Sequence, residues 1–293
     1  MKELDTFLQR VAKDTEVALE KYLPRDDAPE RNLYEAMRYS AFSGGKRVRP
    51  ALFAATLEAF GKDRKSYLPF MVAIEMLHTY SLIHDDLPCM DNDDLRRGIP
   101  SCHRVYGEGM ALLAGDALLT HAFYTMLCTN APAEKVLEAV KLVADLAGCG
   151  GMVKGQAAEF SSLGLPHNEE LLDYIYQEKT GALFCCAVVS AAILCGATPT
   201  QKEQLTEYAY FCGKAFQIAD DILDITGTEE EIGKPVGSDQ RNEKPTMPVI
   251  LGCEAAEKAA LLAAEKAVRC LDSFDEKADL LRAFPELFVR RKK

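Results

Sequence analysis

The sequence predicts an all-α protein, a single-domain bundle of roughly ten or more helices, and three observations predict it. Almost every long segment repeats its apolar residues at helical period. Alanine and leucine abound, and no train of short alternating strands appears. Breakers fall between the periodic segments at intervals suited to helices of roughly 8–20 residues. No linker divides the chain, so residues 1–293 are read as one domain.

The first predicted helix, Met1–Tyr22, sets Leu4, Phe7, Leu8, Val11, Thr15 and Ala18 on one stripe. Leu68–Leu87 is nearly continuous in apolar residues, with Glu75, His78 and His84 interposed. Met110–Thr129 and Leu183–Leu194 are apolar nearly all round, as is much of Tyr208–Ile225. Helices of that kind belong in the middle of an assembly. The breakers are Pro24–Pro29, Gly61–Asp63, Gly98–Pro100, Asn130–Pro132, Gly164–Pro166, Gly196–Pro199 and Gly227–Pro248. Only the last is long enough to suggest a functional loop.

Lys+Arg number 34 against 45 Asp+Glu, a formal net charge of -11. That balance argues against nucleic acid as a partner, which needs a basic footprint, and against a polybasic membrane-surface protein. No apolar run is expected to reach the roughly 18 residues of a spanning helix, so no membrane insertion is expected. The N-terminal segment alternates charged and apolar residues, unlike a signal or transit peptide. The ten cysteines form no CxxC pair and read as reduced, buried thiols of a cytoplasmic protein.

The chemistry concentrates in two acidic clusters that repeat one pattern. Ser81-Leu82-Ile83-His84-Asp85-Asp86-Leu87 resembles Phe216-Gln217-Ile218-Ala219-Asp220-Asp221-Ile222, and a third acid follows at Asp91 or Asp224. Asp220, Asp221 and Asp224 share one helical face. Pro88 cannot continue a helix, so the backbone there should bulge and bring Asp91 back toward Asp85. A single Asp pair reads as a solvated helix end. Two pairs that each follow an apolar run read as hard oxygen ligands for Mg²⁺, which takes one or two carboxylates plus phosphate oxygens. A calcium loop over Asp91–Cys102 fails, because Leu95 and Cys102 stand where oxygen ligands are required.

Cations accompany these clusters. Gly44-Gly45-Lys46-Arg47-Val48-Arg49-Pro50 gathers three of them at a helix start without the spacing of a Walker loop. Arg96-Arg97 follows the first acidic cluster and has two readings, a grip on a diphosphate or neutralisation of the adjacent aspartates. Lys179, Lys234 and Lys244 are scattered, and spacing assigns them no role.

These motifs, with Gly115-Asp116-Ala117, Lys179-Thr180-Gly181 and Gln217-Ile218-Ala219-Asp220-Asp221-Ile222-Leu223-Asp224, resemble the trans-polyprenyl diphosphate synthases, and most of all the bacterial farnesyl diphosphate synthases. The resemblance runs from about Leu33 to the C-terminus. It implies a helical bundle around a deep central cavity and a homodimer. It implies condensation of isopentenyl diphosphate with the allylic dimethylallyl and geranyl diphosphates. Lys46, Arg49, His78 and Arg97 match its isopentenyl diphosphate site. Arg96, Lys179, Thr180, Gln217, Lys234 and Lys244 match its allylic side. Asp85, Asp91 and Asp220 match principal Mg²⁺ ligands, with Asp86, Asp221 and Asp224 supporting, three ions per active site, and Mn²⁺ as a substitute. Where the family usually has Thr-Tyr-Pro after the late lysine, this chain has Thr246-Met247-Pro248, and Glu159 stands where relatives often carry Asp. Tyr80, followed by Ser81, stands one turn and more before Asp85, where a bulky ring would limit product length to farnesyl. Geranylgeranyl diphosphate synthesis is the alternative. A terpene cyclase would not need Lys46 and Arg49, and a regulatory subunit would not need six motif aspartates.

Overall fold

The structure of the protein is a computed structural model, and it describes residues 2–25, 29–165, 168–227, 244 and 246–290. Lys234 and most of the Gly227–Pro248 segment lie outside the described residues. Fourteen α-helical segments and one small hairpin are described, so the all-α prediction holds. The chain falls into two compact units, and one of the points of division, between Ala51 and Leu52, lies inside a helix.

The first unit comprises Lys2–Ala51 and Lys65–Ala131. It holds α1 (Lys2–Tyr22), α2 (Arg31–Ala41), the start of α3 (Val48–Ala59), α4 (Leu68–Asp85), α5 (Cys102–Tyr106) and α6 (Glu108–Leu127). Helix α4 is apolar nearly all round and buries Phe70, Met71, Ile74, Met76 and Leu77. It packs on α6 and α1, burying Leu118, Ala122 and Met126 of the former and Phe7 and Val11 of the latter.

The hairpin β1 (Leu95–Arg96) and β2 (Ile99–Pro100) is antiparallel, a feature the sequence reading passed over. Its two-residue turn is Arg97-Gly98, with φ of 55° and 78°. Positive φ at both central residues matches the right-handed twist of the strands.

The second unit comprises Leu52–Arg64 and Pro132–Lys293. It holds α7 (Ala133–Ala147), α8 (Met152–Ser162), α9 (Glu169–Ile175), a π-helical turn (Tyr176–Gly181), α10 (Ala182–Cys195), α11 (Pro199–Thr226), α12 (Met247–Leu251), α13 (Cys253–Arg269) and α14 (Asp279–Arg290). Helix α11 starts at a capping box. The Thr198 hydroxyl accepts from the Gln201 amide at 3.3 Å, and Gln201 accepts from the Thr198 amide at 3.0 Å. Helices α10, α11, α13 and α14 pack together around Phe184, Phe216, Phe284 and Phe288, whose ring centroids stand 5.3–5.9 Å apart. The break between α7 and α8, at Gly148, Gly150 and Gly151, was absent from the predicted breakers although glycine density marks it.

Two expectations are corrected. By length and composition alone, Glu108–Leu127 and Glu169–Cys195 are apolar enough to span a membrane. The second is 89% buried in the fold and is core, whereas the first is 39% buried. The cysteines are not uniformly buried either. Cys102, Cys185, Cys186 and Cys212 are, but Cys89, Cys128 and Cys149 are exposed, and all ten are free thiols.

Candidate active site

In the first unit α4 ends at Asp85, two residues before the predicted end, because Pro88 follows. The chain then folds back. The Asp91 amide donates to the Asp85 carbonyl at 2.9 Å, and Met90 and Asn92 both donate to the Leu87 carbonyl. Asn92 takes a φ of 53° to complete the turn. The bulge therefore returns Asp91 to Asp85, and both are partly exposed.

Asp86 differs. It is 2% exposed and accepts from Arg96 Nε at 2.9 Å and from a second Arg96 nitrogen. Arg96 also bonds Asp93 at 3.2 Å. Burial pushes the Asp86 carboxyl up to about 6, with the Arg96 guanidinium pulling the other way. As placed, Arg96 neutralises aspartates and Asp86 serves Arg96.

Four guanidinium groups, those of Arg49, Arg97, Arg96 and Arg47, act on His78. Burial and these charges hold His78 well below the ordinary histidine range, so it is neutral near pH 7. His78 thus lies within the field of Arg49 and Arg97, while Lys46 is exposed. The Arg97 guanidinium bonds the Gly44 carbonyl and the Ser43 hydroxyl. A Cβ at Gly45 would lie 2.5 Å from the Arg97 guanidinium carbon, so glycine there admits that side chain.

Arg47 belongs elsewhere. It is buried and pairs with Glu75 at 2.8 Å, both side chains 1% exposed, and it donates to the Ala41 carbonyl at 2.8 Å. One of the three cations of that motif is therefore structural. Tyr80 is buried against His84, with ring centroids 5.7 Å apart. Ser81 donates to the His78 carbonyl at 2.9 Å.

In the second unit the π-helical turn sets Lys179 and Thr180. Its backbone is approached by α8 and α11. A Cβ at Gly155 would lie 2.3 Å from the Lys179 amide nitrogen, so only glycine fits that crossing. The Lys179 ammonium pairs with Glu159 of α8 at 2.7 Å, and Lys244 lies 3.8 Å from the same carboxylate. Glu159 is the functional-site neighbour that the sequence reading undervalued; its position one turn after Gly155 was the available signal.

The second acidic cluster repeats the asymmetry of the first. Asp220 is partly exposed, whereas Asp221 is 2% and Asp224 5% exposed. Asp221 accepts from Tyr176, from Gln217 at 2.9 Å and from the Met247 amide at 3.4 Å. Gln217 in turn accepts from Thr180 at 2.6 Å. Met247 is fully buried in a cluster with Leu172, Tyr176 and Ile218.

Among the described residues no group of three His, Cys, Asp or Glu side chains is arranged to hold an ion alone. The donors at the two acidic helix ends are nevertheless all hard oxygens. They suit a cation that completes its shell with water and phosphate oxygens, as Mg²⁺ does.

The polyprenyl synthetase family model matches residues 30–284. A farnesyl diphosphate synthase of Geobacillus stearothermophilus is 46% identical over 293 residues, covering 98% of each chain. A geranylgeranyl diphosphate synthase of Cyanophora paradoxa is 42% identical, over 98% of this chain and 96% of its own. The structure of a geranyltransferase from Helicobacter pylori, complexed with magnesium and isoprenyl diphosphate, superposes with a TM-score of 0.86 at 31% identity, covering 97% of this chain and 95% of that one. With a family model over most of its length and relatives matched end to end, the chain belongs to the polyprenyl synthetase family.

Proposed function

We propose that the protein is a prenyltransferase that condenses isopentenyl diphosphate with dimethylallyl and then geranyl diphosphate to give farnesyl diphosphate. The observation that carries this reading is the end-to-end likeness to a protein named farnesyl diphosphate synthase. Geranylgeranyl diphosphate synthesis is the second reading, favoured by the nearly equal likeness to the Cyanophora protein.

Asp85, Asp91 and Asp220 would hold Mg²⁺, with Asp224 behind Asp220; Asp86 and Asp221 keep their protein partners. When bound, Mg²⁺ supplies charge neutralisation for the departing diphosphate. Lys46, Arg49 and Arg97 bind the isopentenyl diphosphate, and His78 enters as a neutral donor rather than a fourth charge. Lys179 and Lys244, with Lys234, bind the allylic diphosphate, and Glu159 holds the first two apart from the aspartates until that anion arrives. Thr180, backed by Gln217, turns its dipole toward the allylic carbon. The proton released at the end has no side-chain base at these motifs, so the diphosphate accepts it. Tyr80 closes the path of the growing chain.

Incubation with Mg²⁺, isopentenyl diphosphate and each allylic primer, followed by chromatography of the dephosphorylated alcohols, tests this. Farnesol is expected from the native protein and longer alcohols from Tyr80→Ala. An active Tyr80→Ala enzyme with unchanged products would place the floor elsewhere.

The reading includes a cytoplasmic homodimer. Helix α6 is apolar along its length yet exposes Leu112, Leu113, Tyr124 and Leu127, a face suited to a second copy. Sedimentation at micromolar concentration should give a dimer, and a monomer there would count against it.

A further inference from the structure

The second unit contains a buried hydrogen-bond chain whose direction is fixed by its own chemistry. Tyr176, 4% exposed, donates its hydroxyl to Oδ2 of Asp221. Oδ1 of Asp221 accepts from Gln217 Nε2 at 2.9 Å, and Gln217 Oε1 accepts from the Thr180 hydroxyl at 2.6 Å. At the other end the Met247 amide donates to the Tyr176 oxygen at 2.9 Å.

A carboxylate only accepts, so each neighbour must turn a proton toward Asp221. Gln217 can offer its N–H to Asp221 only by turning its carbonyl toward Thr180. Thr180 must then donate its single hydroxyl proton to that carbonyl. What remains on the Thr180 oxygen is lone pairs. A flipped Gln217 amide would reverse the arrangement, setting the Thr180 proton outward.

We propose that Tyr176 and Asp221 are positioning residues that fix the polarity of Thr180, so that lone pairs and not a proton meet the allylic carbon as it gains positive charge. This rests on the prenyltransferase reading above. A dipole held in place before the charge develops stabilises it without reorganisation, whereas an outward O–H would oppose it. Tyr176 enters because it supplies the charge-assisted bond to Oδ2, which holds the buried carboxylate where Gln217 needs it.

The test is a double-variant cycle on the full chain, with Tyr176→Phe and Thr180→Val made singly and together. Three quantities are measured with Mg²⁺ and geranyl diphosphate: kcat, the KM for isopentenyl diphosphate, and the slow hydrolysis of geranyl diphosphate when isopentenyl diphosphate is withheld. Tyr176→Phe should lower kcat and the hydrolysis alike, about 10-fold, with the isopentenyl KM within about twofold. It should lower neither further in the Thr180→Val background. Amide exchange at Met247 should quicken in Tyr176→Phe without any substrate. Normal kcat in Tyr176→Phe, or effects that multiply in the double variant, would overturn the proposal. If Tyr176→Phe does not fold, Asp221→Asn takes its place with the same expectation of no further loss in the Thr180→Val background. A native protein that makes no prenyl product removes the functional reading and this proposal with it. An active native protein with an unaffected Tyr176→Phe removes this proposal alone.

Discussion

Asp85→Ala and Asp220→Ala should each reduce turnover by at least about 10³-fold, some 4 kcal/mol of barrier, while circular dichroism keeps its helical signal. The reasons lie in the placement of these two carboxylates. Each is the first member of an Asp pair, Asp85 at the end of α4 and Asp220 in the last two turns of α11, and each is partly exposed while its neighbour is buried. Asp86 and Asp221 are committed to Arg96 and to Tyr176 and Gln217. Asp85 and Asp220, the partly exposed members, are the ones placed to offer oxygen to a cation and its diphosphate. Removing either leaves the leaving group less neutralised at the moment the carbon–oxygen bond opens, and a charge developing in the transition state is where such a loss falls on kcat. Steady-state rates across a magnesium titration decide the matter. Near-normal turnover in either variant at saturating Mg²⁺ would sink the assignment of metal ligands.

Glu75→Ala should destabilise the protein by about 3–5 kcal/mol, because it strands the Arg47 charge in the interior. At the usual scaling for a chain of this length this lowers Tm by roughly 5–8 °C. The pair is almost wholly withdrawn from solvent, and beyond Glu75 the Arg47 guanidinium donates to the neutral Ala41 carbonyl, which cannot balance its charge. The same principle gives the companion result. Glu75→Leu combined with Arg47→Met should return to within about 1 kcal/mol of the native protein, since replacing both partners removes the desolvation penalty along with the attraction. Thermal unfolding of the three proteins measures this. A Glu75→Ala variant as stable as the native chain would mean that water reaches Arg47.

The sequence by itself determined the helical class, the main helices within a few residues and the two acidic clusters. These are local properties. Helical period, a proline after an aspartate pair and the i,i+3 and i,i+4 spacing of Asp220, Asp221 and Asp224 all act over one or two turns of chain. The return of Asp91 to Asp85 was legible for the same reason, being forced by Pro88 within six residues. The tertiary structure decided which member of each pair is partly exposed and which is buried. Arg96 reaches Asp86 through a hairpin whose tight turn depends on positive φ at Arg97, a conformation that an arginine does not announce. Arg47 left the cationic motif for Glu75, 28 residues away. Lys179 found Glu159 at a separation of 20, and Tyr176 found Asp221 at 45 and Met247 at 71. No periodicity relates residues so far apart. Their pairing follows from which helices cross, and there the low dielectric makes an unmatched charge or donor too costly to leave, so burial selects the partners.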